Sequence, residues 1–268
     1  MDRRNFSKGA LGLAMGALAA TQVGAQNKPP TAKQKTFVLV HGAWYGGWCW
    51  KKVAKALREA GHYVSAPTCP GLGESKHLLS KHIDLTTHIT SITNHIQYEG
   101  LSDVILVGSG FSGLIISGVA DRIPHSLATL VYLDALVVPN GESAFDAQPA
   151  EITKQRLEQA AREGNGIAIP PPPLSSYNLV TEADKAWVGA RLTPHPVGPY
   201  EEKFRLEHPL GNGVPRIYVD CVATAYPPLA KLKKDIRTEP GWTWMELNAR
   251  HDVMVTEPHV LSTFLPSI

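Results

Sequence analysis

Several things are scarce in this 268-residue chain, and each scarcity removes a class of function. Charge surplus is absent: 26 Lys and Arg face 24 Asp and Glu, a formal net charge of +2. The basic residues are scattered, with no stripe interleaved with aromatics, so neither nucleic acid nor an anionic surface is implied. Only three cysteines occur, Cys49, Cys69 and Cys221. The number is odd and the spacing fits no zinc ligand set. They read as small apolar core residues; one disulfide stays open, with no pair singled out. Gly71-Leu72-Gly73 lacks the lysine of a phosphate loop, and no metal or nucleotide signature appears, so no cofactor is expected. Long apolar runs are missing too. The nearest, Gly9 to Ala20, falls short of the roughly 20 residues that a membrane span needs. What is present is a hydrophobic fraction of 43%, enough for a core, and a length that suits one large domain or a domain carrying an insertion.

The N-terminus resembles a twin-arginine export signal. Arg3 and Arg4 precede Phe6 and Lys8, a weakly apolar Ala/Gly run follows, and Val23-Gly24-Ala25 reads as a small-residue cleavage site. Residues 1–25 are therefore set aside as a signal peptide, with an uncleaved anchor as the alternative, and 26–35 as a polar linker. The resemblance implies a bacterial protein handed to the twin-arginine export machinery. It would be periplasmic or secreted, with no stable membrane insertion after cleavage.

From residue 36 onward, β-branched apolar runs alternate with helical spacing. Thr36–Val40, His62–Pro67, Val104–Val107, Leu127–Leu133, Pro215–Cys221 and Trp242–Leu247 read as strands. Helices are expected over Lys51–Ala60, Leu85–Gln97, Leu114–Arg122, Leu229–Arg237 and Pro258–Phe264. Strand–helix alternation predicts an α/β fold with a doubly wound, mostly parallel sheet. Regularity breaks at Pro139. A charged helix over Glu151–Glu163, the Pro170–Pro173 spacer and a short helix over Glu182–Arg191 follow. Residues 139–210 read as a cap inserted within a domain spanning 36–268.

One stretch organises the rest. The strand Val104–Val107 runs into Gly108-Ser109-Gly110-Phe111-Ser112-Gly113 and then into helix: strand, sharp turn, helix. Small residues frame the turn at Gly108 and Ser112, and its centre is Gly110. Centring it on Ser109 puts the bulky Val107 and Phe111 at the flanks. Centring it on Ser112 places Leu114 two residues on and the serine inside the helix. Both serines also read as caps for free N–H groups. Glycine takes strained turn angles without steric cost.

Four stretches, His41–Trp50, Gly108–Gly113, Tyr132–Pro139 and Arg250–Pro258, together resemble the α/β-hydrolase superfamily. The chain is most similar to the small-esterase branch of methyl esterases, hydroxynitrile lyases and pyrethroid-type esterases. In that family the turn is the nucleophile elbow, G-x-S-x-G. Here Gly110 stands at the nucleophile position, with a local shift to Ser109 or Ser112 as the alternative. The resemblance implies oxyanion-hole N–H groups at Ala43 and Phe111, although Gly42 and Ala43 also read as a simple tight turn. It puts His251 in the general-base position. The resemblance implies a displaced orienting carboxylate: Thr224 occupies one family location, whereas Asp134 stands at another, the end of the strand after the elbow. Asp134 is the expected partner of His251, or else a structural strand-end residue. Trp44, Tyr45, Ser109 and Arg250 are expected at the substrate, Arg250 replacing the family's usual glycine. His77, His82, His88, His95, His125, His195, His208 and His259 are expected to be solvated.

A serine esterase needs an activated hydroxyl, and Gly110 has none. The expected function is an enzyme of esterase lineage acting on a small carbonyl or ester-type substrate. His251 and the oxyanion hole would work without an acyl-serine, in hydrolysis by water attack or in a lyase, isomerase or cyclase step. The alternatives are a periplasmic small-molecule binding protein without turnover, or a variant of a serine esterase that has lost its nucleophile. Tyr177, Trp187, Tyr200 and Phe204 in the cap suggest an uncharged, partly aromatic substrate.

Overall fold

Six apolar runs pair side by side in the computed structural model, which describes residues 33–268; the export signal expected over 1–25 lies outside the described residues. The strands are β1 (Thr36–Val40), β2 (Tyr63–Ser65), β3 (Val104–Ser109), β4 (Leu127–Leu133), β7 (Arg216–Cys221) and β8 (Trp242–Leu247). Their order is β2-β1-β3-β4-β7-β8 and every pairing is parallel. The near-continuous apolar character of β1 and β3 follows from their position: strands covered on both faces have no side to give to water.

Alternation along each strand feeds two cores. Phe37, Leu39, Ile105 and Val107 pack with Val53 and Leu57 of α1 (Lys51–Glu59) and with Leu261 of α9 (Pro258–Phe264). Val38, Val40 and Leu106 pack on the other face with Ile92 and Ile96 of α2 (Leu85–Tyr98) and with Leu114 and Ile116 of α3 (Ser112–Arg122). Each such side chain, fully buried, contributes roughly 1.5–3 kcal/mol. Asp84 starts α2 with a capping box, accepting from the Thr87 N–H at 2.7 Å. Helices α2 and α3 approach so closely at Gly118 that a Cβ there would lie 2.4 Å from Ile89.

Residues 134–215 contribute no strand to this sheet. They form α4 (Ala150–Glu163), the short antiparallel pair β5 (Ala168–Ile169) and β6 (His195–Pro196), α5 (Glu182–Gly189) and α6 (Gly198–Glu201). Thr181 caps α5 by accepting from the Asp184 N–H. Asp184 in turn pairs with Lys52 of α1 at 2.8 Å, which ties this segment to the sheet's helical layer. After β7 come α7 (Ala230–Thr238) and, beyond β8, α8 (Val253–Thr256). The three cysteines are buried and unpaired, so the disulfide left open by the sequence does not form.

Candidate active site

The elbow is built by close packing. At Gly108 a Cβ would come within 2.9 Å of the Ser112 carbonyl and of Ile116, so strand and helix cross only where that side chain is absent. Gly110 follows with φ +55°, in the left-handed region, and its carbonyl accepts from the Leu136 N–H at 2.8 Å. A Cβ on Gly110 would meet nothing nearer than His251 Nε2, at 3.6 Å. The Ser112 hydroxyl points elsewhere, donating to the Val40 and Ser109 carbonyls at 2.9 Å each. Ser109 lines the cavity described below, but no hydrogen bond joins it or Ser112 to His251.

His251 follows β8, and Asp134 follows β4. The two meet: His251 Nδ1 donates to Asp134 Oδ2 at 2.6 Å across 117 residues of sequence. Asp134 is fully buried and adopts φ +45°, a conformation that Asp tolerates better than most residues. Its other oxygen faces the ammonium of Lys233 on α7, at 2.5 Å, and Lys233 also reaches Asp220 Oδ1 at 2.7 Å. Burial alone would raise the Asp134 pKa. The hydrogen bond and charge of His251 and the charge of Lys233 outweigh it and hold the carboxyl below its ordinary range. Burial likewise works against a charged imidazole. The bond to Asp134 and the fields of Asp252 and Asp134 overcome this and raise the His251 pKa, while Lys233 restrains the rise.

Two neighbours of the imidazole were not legible as such in the sequence. Tyr226 stacks flat on His251, with ring centroids 3.8 Å apart and planes 7° from parallel. It comes from the loop after β7, two residues beyond Thr224, which is not among the cavity-lining residues. Asp252 is buried beside His251 and accepts from the Tyr45 hydroxyl at 3.0 Å. Burial pushes its carboxyl up to about 6.

Ala43 and Phe111 border the same space, and neither N–H donates to a protein acceptor among the described residues. The residue after Ala43 is strained: Trp44 sits at φ +65°, where a bulky side chain is an outlier. Its indole donates to the Ile169 carbonyl at 3.0 Å, fastening the loop after β1 to β5. Such strain persists only when the surroundings over-determine it.

These groups open on a cavity of about 800 Å³, lined by Ser109, Gly110, Trp44, Tyr45, Tyr177 and Tyr200 among others, large enough for a drug-sized molecule. Arg250, expected at the substrate, is not among its lining residues. It turns away to pair with Glu257, seven residues on. Two histidines expected to be solvated are also buried. His88 bonds the Pro70 carbonyl at 3.0 Å, and His195 packs against Phe111 with centroids 5.0 Å apart. Nothing in their local sequence marks this, since burial is imposed by α2 and β6 folding over the elbow. No group of three or more His, Cys, Asp or Glu among the described residues is arranged to hold a metal.

Comparison with known proteins agrees with this architecture. A carbendazim hydrolyzing esterase from Nocardioides sp. (strain SG-4G) is 38% identical over 240 residues, covering 87% of this chain and 98% of that one. A putative methylesterase 13 from Arabidopsis thaliana is 27% identical over 263 residues; the match takes in 90% of this chain but 58% of that longer protein. An extracellular α/β-hydrolase from a Paenibacillus species superposes with a TM-score of 0.74 at 25% identity, over 87% of this chain and 98% of its own. The Alpha/beta hydrolase family matches residues 37–263, and the chain belongs to that family, in an esterase-type lineage.

Proposed function

We propose that this chain hydrolyses a small ester-type carbonyl compound by direct attack of water, with His251 as general base and no acyl-serine. The observation that carries the reading is the geometry at Gly110. The imidazole Nε2 faces a point where the backbone bears no side chain, yet the His251–Asp134 pair behind it is intact. A water in that space would lie within reach of Nε2. His251 takes its proton as the water oxygen bonds to the carbonyl carbon, and the carbonyl electron pair moves onto oxygen. The N–H groups of Ala43 and Phe111 face that oxyanion, and one such donor is typically worth about 3–4 kcal/mol in the transition state. Collapse restores the carbonyl and breaks the bond to the leaving alcohol, which receives the proton from the imidazolium. Asp134 stays ionised throughout, keeping Nδ1 as the donor.

The relatives named for ester cleavage make hydrolysis the first expectation. The twin-arginine-like residues near the N-terminus support a site of action outside the cytoplasm on this reading. The test pairs a fluorophosphonate probe with turnover of p-nitrophenyl acetate. The native protein should remain unlabelled while hydrolysing the ester, and His251→Ala should lower the rate on the order of 10²–10⁴-fold. Labelling at Ser109 or Ser112, or full activity in His251→Ala, would overturn the mechanism.

A further inference from the structure

We propose that Arg156 of α4 is an anion anchor, so that the substrate carries a carboxylate at the end remote from its reacting carbonyl. The assignment deepens the function proposed above and rests on it for the place of the carbonyl. Helix α4 buries only Ala160 and turns one face to the cavity: Ile152, Gln155, Arg156, Gln159 and Arg162, at steps of three and four residues along the helix, with Gln155 and Arg156 side by side. A helix closing an apolar pocket ordinarily offers an apolar stripe. This one offers two guanidiniums and two amides.

Arg162 has a carboxylate nearby, Glu163 at 3.7 Å. Arg156 has none within 4 Å among the described residues, and it is held by aromatic faces instead. Its guanidinium lies 5.4 Å from the Trp44 ring centre and 5.3 Å from that of Tyr200. The two rings orient the guanidinium, which also bonds the Tyr200 hydroxyl, and leave its remaining N–H groups available. That is the arrangement a carboxylate can bind through two parallel hydrogen bonds. Its positive charge is felt at the phenols of Tyr177, Tyr200 and Tyr226, where it works against the effect of burial. Tyr226 is the ring stacked on His251, so the anchor and the base belong to one connected wall. The Tyr177 hydroxyl, buried in the same cavity, has no hydrogen-bond partner among the described residues.

The arrangement orients a substrate. Asp252 is the one acid among the cavity-lining residues, and it sits beside His251, so an anionic group is disfavoured there and favoured under α4. The uncharged substrate expected from the cap's aromatic content is replaced by an aromatic or aliphatic body with one anionic end. The aromatics hold the guanidinium as well as the ligand.

The test is equilibrium binding, which does not depend on turnover. Calorimetry with 3-phenylpropionate and its neutral amide, 3-phenylpropanamide, should show the carboxylate bound about tenfold or more tighter by the native protein, as expected for a hydrogen-bonded charge pair. Arg156→Gln should erase that preference, Arg156→Lys should keep part of it, and His251→Ala should leave it unchanged. Equal affinities in the native protein, or no measurable binding of the carboxylate, would overturn the proposal. So would a preference that survives Arg156→Gln. A preference lost in His251→Ala but kept in Arg156→Gln would put the anion on the imidazolium and overturn it as well. Loss of esterase activity with the preference intact would instead count against the water-attack mechanism alone.

Discussion

On the proposed mechanism, Gly110 is where the lack of a side chain decides between two chemistries. Its φ of +55° costs glycine nothing, whereas a side chain at such an angle costs on the order of 1–3 kcal/mol. The space in front of it is adequate, because a Cβ would make only an ordinary contact with His251 Nε2 at 3.6 Å. Gly110→Ser should therefore fold with a modest loss of stability and present a hydroxyl to the imidazole. The expected outcome is a protein that a fluorophosphonate labels at position 110, read by peptide mass. An unlabelled, folded variant would mean that the apex does not face the base as described. That His251, Asp134 and Gly110 come together was legible in the sequence because each follows a strand of one parallel sheet, at the same end. Tyr226 was not: a stacking partner is chosen by the path of a loop, and Ala225-Tyr226-Pro227 carries no local signal for it.

At the level of elements, the strands were legible almost to the residue. Leu127–Leu133 and Trp242–Leu247 fall where apolar alternation puts them, since burial on one or both faces writes itself into composition. The short pair β5 and β6 was missed because two-residue strands have no period to read. The contribution of α7 was missed for another reason. Lys233 looks like one of several lysines on a charged helix, yet the packing of α7 against β8 carries it to Asp134 and Asp220 with its side chain only 14% exposed. Its charge stabilises the Asp134 carboxylate and disfavours the imidazolium. Lys233→Met removes both effects. His251 should then titrate at higher pH, so the rise of hydrolysis with pH should move upward and the rate at neutral pH should fall. The buried Asp134 and the half-buried Asp220 would also lose their shared partner, at a cost of about 3 kcal/mol. Lys233→Arg keeps the charge and should restore the pH profile. An unmoved profile in a folded Lys233→Met would remove Lys233 from the mechanism and leave it a purely structural tie.

Taken as a whole, the molecule is fastened by neutral histidines. His41, at the end of β1, accepts from the Cys69 N–H at 3.0 Å, His88 reaches from α2 to Pro70, and His195 holds β6 against Phe111. Burial lowers His41 and His88 from 6.5 to about 4, and His195 well below 6.5. A depressed folded-state pKa gives stability that is present above 6.5 and lost as pH falls through the folded value. For His41 and His88 that is about 3 kcal/mol each. Two groups pull the other way. Asp252, raised to about 6, is relieved by acid by about 3 kcal/mol, and the raised pKa of His251 adds stability that is fully present below 6.5 and lost as pH rises through its folded value. Below 6.5 the His251 contribution is constant, and His41 and His88 together exceed the relief at Asp252, so the net slope runs toward instability in acid. The melting temperature should fall as pH drops from 6.5 to about 4, with the junction of α2, β6 and the elbow opening first. His88→Gln, which keeps a donor for the Pro70 carbonyl but cannot titrate, should flatten that fall measurably. A melting temperature that is constant or rising over the same interval would show that these imidazoles are already charged in the folded protein.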